Sequence, residues 1–278
     1  MTPVAEAPPA PGLELRPPGI WFAAQQGAVS YPDTGNAVCL EIEDRSFWFR
    51  HRNRCIVRTV ERFAPAGAFL DVGGGNGYVA RGLKQAGIAC TLIEPGLDGA
   101  LAAHARGIAP VVCARLEDAG FAAGSFGAAG MFDVLEHIDD EAAALAETRR
   151  LLAPGARLFL TVPAFQVLFS AEDVEAGHHR RYTAARLGGV LQRAGFIVDY
   201  QTYLFWPLPL PVLLFRTLPW RLGLHRGHSD ARSSQQHAPA GIAAGLMERA
   251  LDAEFAIVSR GGRVPVGGSL LAVARAAA

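Results

Sequence analysis

Between residues 69 and 162 the chain alternates short apolar runs with segments of helical period, the pattern of a parallel sheet covered by helices. The first strand is expected at 68–72. It enters a glycine cluster, after which Val79, Leu83 and Ala86 recur at helical spacing until Gly87 ends the helix. Further strands are expected at 88–93, 111–113, 128–134 and 157–162. Asp139 or Asp140 caps a helix that ends near 152, and Thr183 caps another that presents Leu187, Val190, Leu191 and Ala194 on one face. Runs at 196–204 and 269–274 bring the count to seven strands of an α/β, mostly parallel sheet.

At 278 residues the chain suits one large domain carrying insertions. Residues 1–19, rich in Pro and Ala, read as a flexible tail, without the basic start and apolar run of a signal peptide. The cofactor-binding core is expected over 67–204, and 205–262 reads as a helical and loop insertion. That insertion holds a polar loop at 226–237 and a helix at 242–257; 263–278 supply the final strand.

Twenty-six basic and 26 acidic residues leave no bulk charge for nucleic acid or an anionic membrane, so no nucleic-acid partner is expected. Cys39, Cys55, Cys90 and Cys113 lack CxxC spacing and sit in apolar surroundings, as reduced thiols of a cytoplasmic protein would. The apolar run 204–215 is about half of the ~20 residues a bilayer span needs and contains Pro207, Pro209 and Pro211. It cannot span a membrane. With Trp206, Trp220, Arg216, Arg221 and Arg226 it fits either core packing or a lid in peripheral contact with lipid or acceptor.

The chemistry starts at the glycines. Gly73, Gly75 and Gly77 follow an apolar strand and leave the backbone open to a ligand. A dinucleotide fingerprint would place a third glycine where Tyr78 stands, and that ring is too large for the close helix approach. Asp71, just before the loop, would repel a pyrophosphate but suits a ligand bearing ammonium and sulfonium charges. Glu94, at the tip of the second strand, suits ribose hydroxyls.

The segments LDVGGGNG, LIEP, FDVLEHIDD and RLLAPGARLFLTVP resemble the class I S-adenosylmethionine-dependent methyltransferases over roughly 40–204, with GGSLLAVAR rejoining the sheet. DVEAGHHRRYT is similar to a bacterial subgroup with an HxRRYT-like segment after strand five. The resemblance implies a Rossmann-like seven-stranded sheet, helices on both faces and strand seven antiparallel. It implies S-adenosyl-L-methionine as cofactor, with Asp71, Gly73, Gly75 and Gly77 at its methionine part, Glu94 at the ribose, and Pro95 and Leu116 at the adenine. The acid often found near the adenine amino group is replaced by Arg115, and Glu117 or Asp118 is expected to stand in. SFWFRHRN resembles a cover segment, which makes 20–66 cover helices with Trp48 and Arg52 at the cofactor.

Methyl transfer to a small-molecule acceptor needs positioning, exclusion of water and, for a protonated acceptor, a base. Asp133, Glu136 and His137 end strand four beside the expected methyl group; His137 reads as base or orienter, and Glu136 as structural. His178 and Tyr182 are the other catalytic candidates. His179, Arg180 and Arg181 read as a clamp for an anionic or lipid-like acceptor; the alternative is that Arg180 or Arg181 pairs with Asp173 or Glu175 and pins the loop. No HxH or HxxxH spacing is present, so no metal is expected. Two other classes remain open: a nicotinamide-dependent oxidoreductase, and a non-catalytic S-adenosylmethionine-binding protein.

Overall fold

The computed structural model describes residues 10–24, 39–40, 42–224 and 242–277; residues 1–9 and the loop expected at 226–237 lie outside the described residues. A single sheet runs through the molecule. Its parallel centre consists of β3 (Phe69–Val72), β4 (Cys90–Ile93), β5 (Val111–Cys113), β6 (Phe126–Phe132) and β7 (Leu152–Pro163). β8 (Phe196–Leu204) is an edge strand, and β9 (Ser269–Ala276) lies antiparallel between β7 and β8. The strand order is β1-β2-β5-β4-β3-β6-β7-β9-β8.

Among the described residues this sheet has nine strands, not the expected seven. The two additional strands arise partly in the segment expected to be a tail, where β1 (Leu13–Arg16) and β2 (Ile20–Ala23) form an antiparallel hairpin. β2 also occupies the start of the stretch expected to be cover helix. Trp21 and Phe22 of β2 pair in parallel with Val112 and Cys113 of β5. The physical reason is that the three-residue β5 would otherwise leave an open edge, and a covered edge satisfies its backbone groups and blocks pairing with other chains. Strand boundaries also shift: β6 stops at Phe132, because Asp133 turns to φ 57, and β7 begins at Leu152.

Alternate residues of each strand point to opposite faces, so each strand feeds two cores. Leu70, Leu158 and Leu160 pack with Leu145 and Leu151 of α4 (Glu141–Leu151) and Leu187 and Leu191 of α6 (Ala184–Arg193). On the other face, Phe69 and Phe159 pack with Ile56 of α1 (Phe47–Phe63), Leu83 of α2 (Tyr78–Gln85) and Ala100 of α3 (Leu97–Ala105). Leu251 of α9 (Ile242–Ser259) joins this second core. Between β8 and α9, the short helices α7 (Pro209–Val212) and α8 (Leu218–Arg221) are joined by a π-helical turn, Leu213–Thr217. No helix among the described residues is long and apolar enough to cross a membrane.

One buried carboxylate ties α9 to the rest. Glu254, fully buried, accepts hydrogen bonds from the backbone N–H groups of Phe205 and Trp206 at 2.7 and 2.8 Å and from His51 Nε2 at 2.7 Å. Phe205 sits at φ 62, a left-handed conformation that these bonds hold in place. Glu254→Ala leaves three donors, two of them buried, without an acceptor and is expected to destabilise the fold by about 3 kcal/mol. Thermal unfolding would register this as a midpoint lowered by roughly 5 to 10 °C.

Candidate active site

Leaving β3, the chain builds outwards through β4 and β5, then crosses back to β6 on the other side of β3. Ligands of open α/β sheets bind at such a reversal, beyond the carboxyl ends of the strands. A cavity of about 1460 Å³ opens there. One wall is the loop after β3, the second is the turn after β6, and the third is the segment after β7 together with α7 and the π turn.

The glycine loop bends as the residue types require. Gly73 has φ 64, and a Cβ there would lie 2.8 Å from Val134, so a side chain is excluded on both counts. Gly75 has φ 51 and lines the cavity. Gly77 faces away, against Ala103 of α3 at the start of α2, and is a packing glycine rather than a cavity residue.

Two carboxylates flank this loop. Glu94 accepts from Gly75 N–H at 2.9 Å through Oε2 and from Gly96 N–H at 2.8 Å through Oε1, so it holds the bend. Asp71 is 1% exposed, its Oδ2 has no hydrogen-bond partner, and burial, reinforced by the nearby Glu94, pushes its pKa up to about 7. A buried carboxyl with an unanswered oxygen beside an open loop fits a cationic ligand. Asp71, Gly73, Gly75, Glu94, Pro95, Leu116 and Glu117 all line the cavity, and Glu117 is ion-paired to Arg115.

Across the cavity, α1 brings Trp48 and Arg52 to the wall. The Trp48 ring stacks on Phe205 at 5.4 Å, and the Arg52 guanidinium lies 4.4 Å from its centroid. Arg52 is buried and ion-paired to Asp133; burial brings its pKa down to about 10 against the pull of Glu43, Glu136 and Asp71. Among the polar wall residues that the sequence did not single out are Glu43, paired with Arg106 at 2.7 Å, and Asn76, whose Nδ2 donates to Glu43 Oε1 at 3.4 Å. Neither belongs to a local pattern that would have marked it.

The acceptor end divides the basic segment in two. His178 and Arg181 line the cavity together with His137, whereas His179, Arg180 and Tyr182 do not. Arg180 is turned to Asp139 and to Glu141, 3.2 Å away, and His179 is exposed. The Tyr182 ring is fully buried in the core, its hydroxyl donates to Glu141 Oε2 at 2.5 Å, and burial pushes its pKa up. That placement removes Tyr182 from the acceptor, contrary to the catalytic role expected, because its ring is needed to close the core beneath β7 and α6.

Asp173 organises what remains. It is 1% exposed and accepts from His178 Nδ1 at 2.7 Å, from Arg181 Nε and Nη2 at 2.8 and 2.9 Å, and from Ser170 N–H at 2.9 Å. Burial acts to raise its pKa, but the bonds from His178 and Arg181 hold it below the ordinary carboxyl range. The Arg181–Asp173 pair is the loop-pinning alternative that the sequence left open, and Asp173 also closes the Ser170 capping box at the start of the short helix α5 (Ala171–Glu175). Burial and the neighbouring His178 and His179 bring His137 down to about 4, so its imidazole is neutral at pH 7. Glu136 is also buried, which pushes it up to about 8.

Known proteins share this fold. The chain is 30% identical over 173 residues to a protein of Mycolicibacterium smegmatis named a probable S-adenosylmethionine-dependent methyltransferase, a match covering 60% of this chain and 66% of that relative. Its fold is similar to that of a methyltransferase from Thermotoga maritima, at 18% identity and a TM-score of 0.55 over 89% of this chain and 99% of the other. It is also similar to phosphoethanolamine N-methyltransferase 2 of Haemonchus contortus in complex with S-adenosylmethionine, at 18% identity and a TM-score of 0.56 over 90% of this chain and 58% of that one. A methyltransferase-domain model matches residues 48–201, more than half of the 278, and the chain therefore belongs to that family, the class I methyltransferases whose cofactor is S-adenosylmethionine.

Proposed function

We propose that the chain transfers a methyl group from S-adenosylmethionine to a small acceptor that combines an apolar part with an oxygen-bearing or anionic head. The observation that supports this is the continuity of the cavity. It runs from the glycine loop past His137, His178 and Arg181 to a mouth lined by Leu208, Pro211, Val212, Phe215 and Arg216. Phe215 is 78% exposed, and Leu210 and Leu214 beside it are also exposed, so the mouth is apolar with an arginine at its rim.

The bound cofactor supplies an electrophilic methyl on a cationic sulfur. The protein's part is to hold and orient. Asp71 and Glu94 frame the cofactor end, and Trp48 with Phe205 closes one wall against water. His137, neutral at pH 7, accepts a hydrogen bond from the acceptor and orients it. Arg181, fixed by Asp173, answers negative charge on the head.

The test is methyl transfer from labelled S-adenosylmethionine into fractionated cell extracts. Label partitioning into the organic phase is expected, whereas label confined to water-soluble products would overturn the apolar part of the reading. His137→Ala is expected to lower kcat about 10- to 100-fold with cofactor affinity unchanged. Unaltered kinetics would return the histidine to a structural role.

A further inference from the structure

Glu136 and His137 lie in the turn that follows β6, and His178 lies some forty residues further on, after α5. The fold brings one ligand atom from each to within 4.8 Å of the others. The two imidazole rings are 4.7 Å apart and nearly perpendicular. Glu136 is 1% exposed, and neither of its carboxylate oxygens has a hydrogen-bond partner. The two arginines within electrostatic reach are already engaged, Arg52 by Asp133 and Arg181 by Asp173. A buried carboxyl group in this state normally has a partner.

Two imidazoles and one carboxyl group form a donor set for divalent transition metals and a poor one for magnesium or calcium, which prefer oxygen. The outer contacts agree. His178 gives Nδ1 to Asp173 at 2.7 Å, which leaves Nε2 as its ligand atom in the carboxylate–histidine–metal pattern. The His137 ring is held by the carbonyls of Ala176 and Gly177. Open cavity adjoins the three groups, so positions for further ligands remain. Spacing along the chain argued against a metal because the two histidines come from different loops.

We infer that Glu136, His137 and His178 bind a divalent transition-metal ion at the acceptor end of the cavity, with Asp173 as positioning residue for His178. With the ion bound, the His137 lone pair goes to the metal, and the ion in its place would hold an oxygen of the acceptor head. That use rests on the methyl-transfer reading; the binding does not.

The test uses the full chain, stripped with chelator and free of cofactor and acceptor. It is titrated with cobalt(II) under visible absorption and calorimetry, and S-adenosylhomocysteine affinity is measured on the same samples. One equivalent of cobalt is expected, with visible bands of a nitrogen and oxygen ligand field. Glu136→Gln and His178→Ala are each expected to weaken binding at least about tenfold, and Asp173→Asn by about 10- to 100-fold. Lack of saturable binding, or binding unchanged in both Glu136→Gln and His178→Ala, overturns the site. Should Glu136→Gln fail to fold, as judged by circular dichroism, His178→Ala at its partly exposed position decides alone. Cobalt binding lost while S-adenosylhomocysteine still binds condemns only the metal site; the reverse condemns only the cofactor reading.

Discussion

Gly75→Val abolishes S-adenosylmethionine binding while leaving the fold intact. Gly75 sits at φ 51, lines the cavity, and donates its N–H to Glu94 Oε2 at 2.9 Å. A β-branched residue in left-handed backbone costs roughly 1–2 kcal/mol, and it either fills ligand space or relaxes the bend and releases Glu94. Both outcomes remove the ligand, so titration calorimetry with S-adenosylhomocysteine is expected to show affinity reduced at least about 100-fold, which corresponds to about 2.7 kcal/mol. The loop lies at the cavity rather than in the core, so circular dichroism and the unfolding midpoint should change little. A dissociation constant equal to that of the wild type would sink the assignment of this loop.

Asp71→Asn exchanges function for stability. In the folded protein the carboxyl is held at about 7 by burial and by Glu94, against an ordinary value of 3.8. Between those values the folded state keeps its proton while the unfolded state has lost it, so the unfolded state binds fewer protons and Asp71 lowers stability as pH rises. Asparagine carries no such penalty. Its advantage over aspartate is expected to be absent below pH 4, to grow through pH 5 and 6, and to level off above pH 7 at about 4 kcal/mol. Denaturant unfolding of both proteins across that range measures it. The ionised carboxylate is the form that answers a cationic ligand, so wild-type affinity for S-adenosylmethionine should fall below pH 7, and the asparagine variant should bind weakly at every pH. A variant less stable than wild type at pH 8 would show that Asp71 is not the strained group described.

Phe69 to Val72, the three glycines and Glu94 were legible in the sequence because each belongs to a pattern a few residues long. Strand alternation, positive-φ turns and a carboxylate at a strand tip are all local. The parallel core and the glycine-loop wall of the cavity followed from them. By contrast, Leu13–Arg16 is too short and too close to prolines to announce a strand; its partner is β2, which is itself held by the otherwise bare edge of β5. The HHRRY segment read as one basic cluster, yet its residues part company in the fold: His178 and Arg181 face the cavity, Arg180 and Tyr182 turn to Glu141.

By itself the chain therefore determined an α/β protein with a glycine loop suited to a cationic ligand between Asp71 and Glu94. Tertiary structure decided which side chains meet across long separations: Arg52 with Asp133, His51 with Glu254, and Glu136 with His178. The reason is physical. Backbone preference and periodicity act between near neighbours, whereas the burial that leaves a carboxyl without solvent, and so in need of a partner, exists only once distant elements have packed.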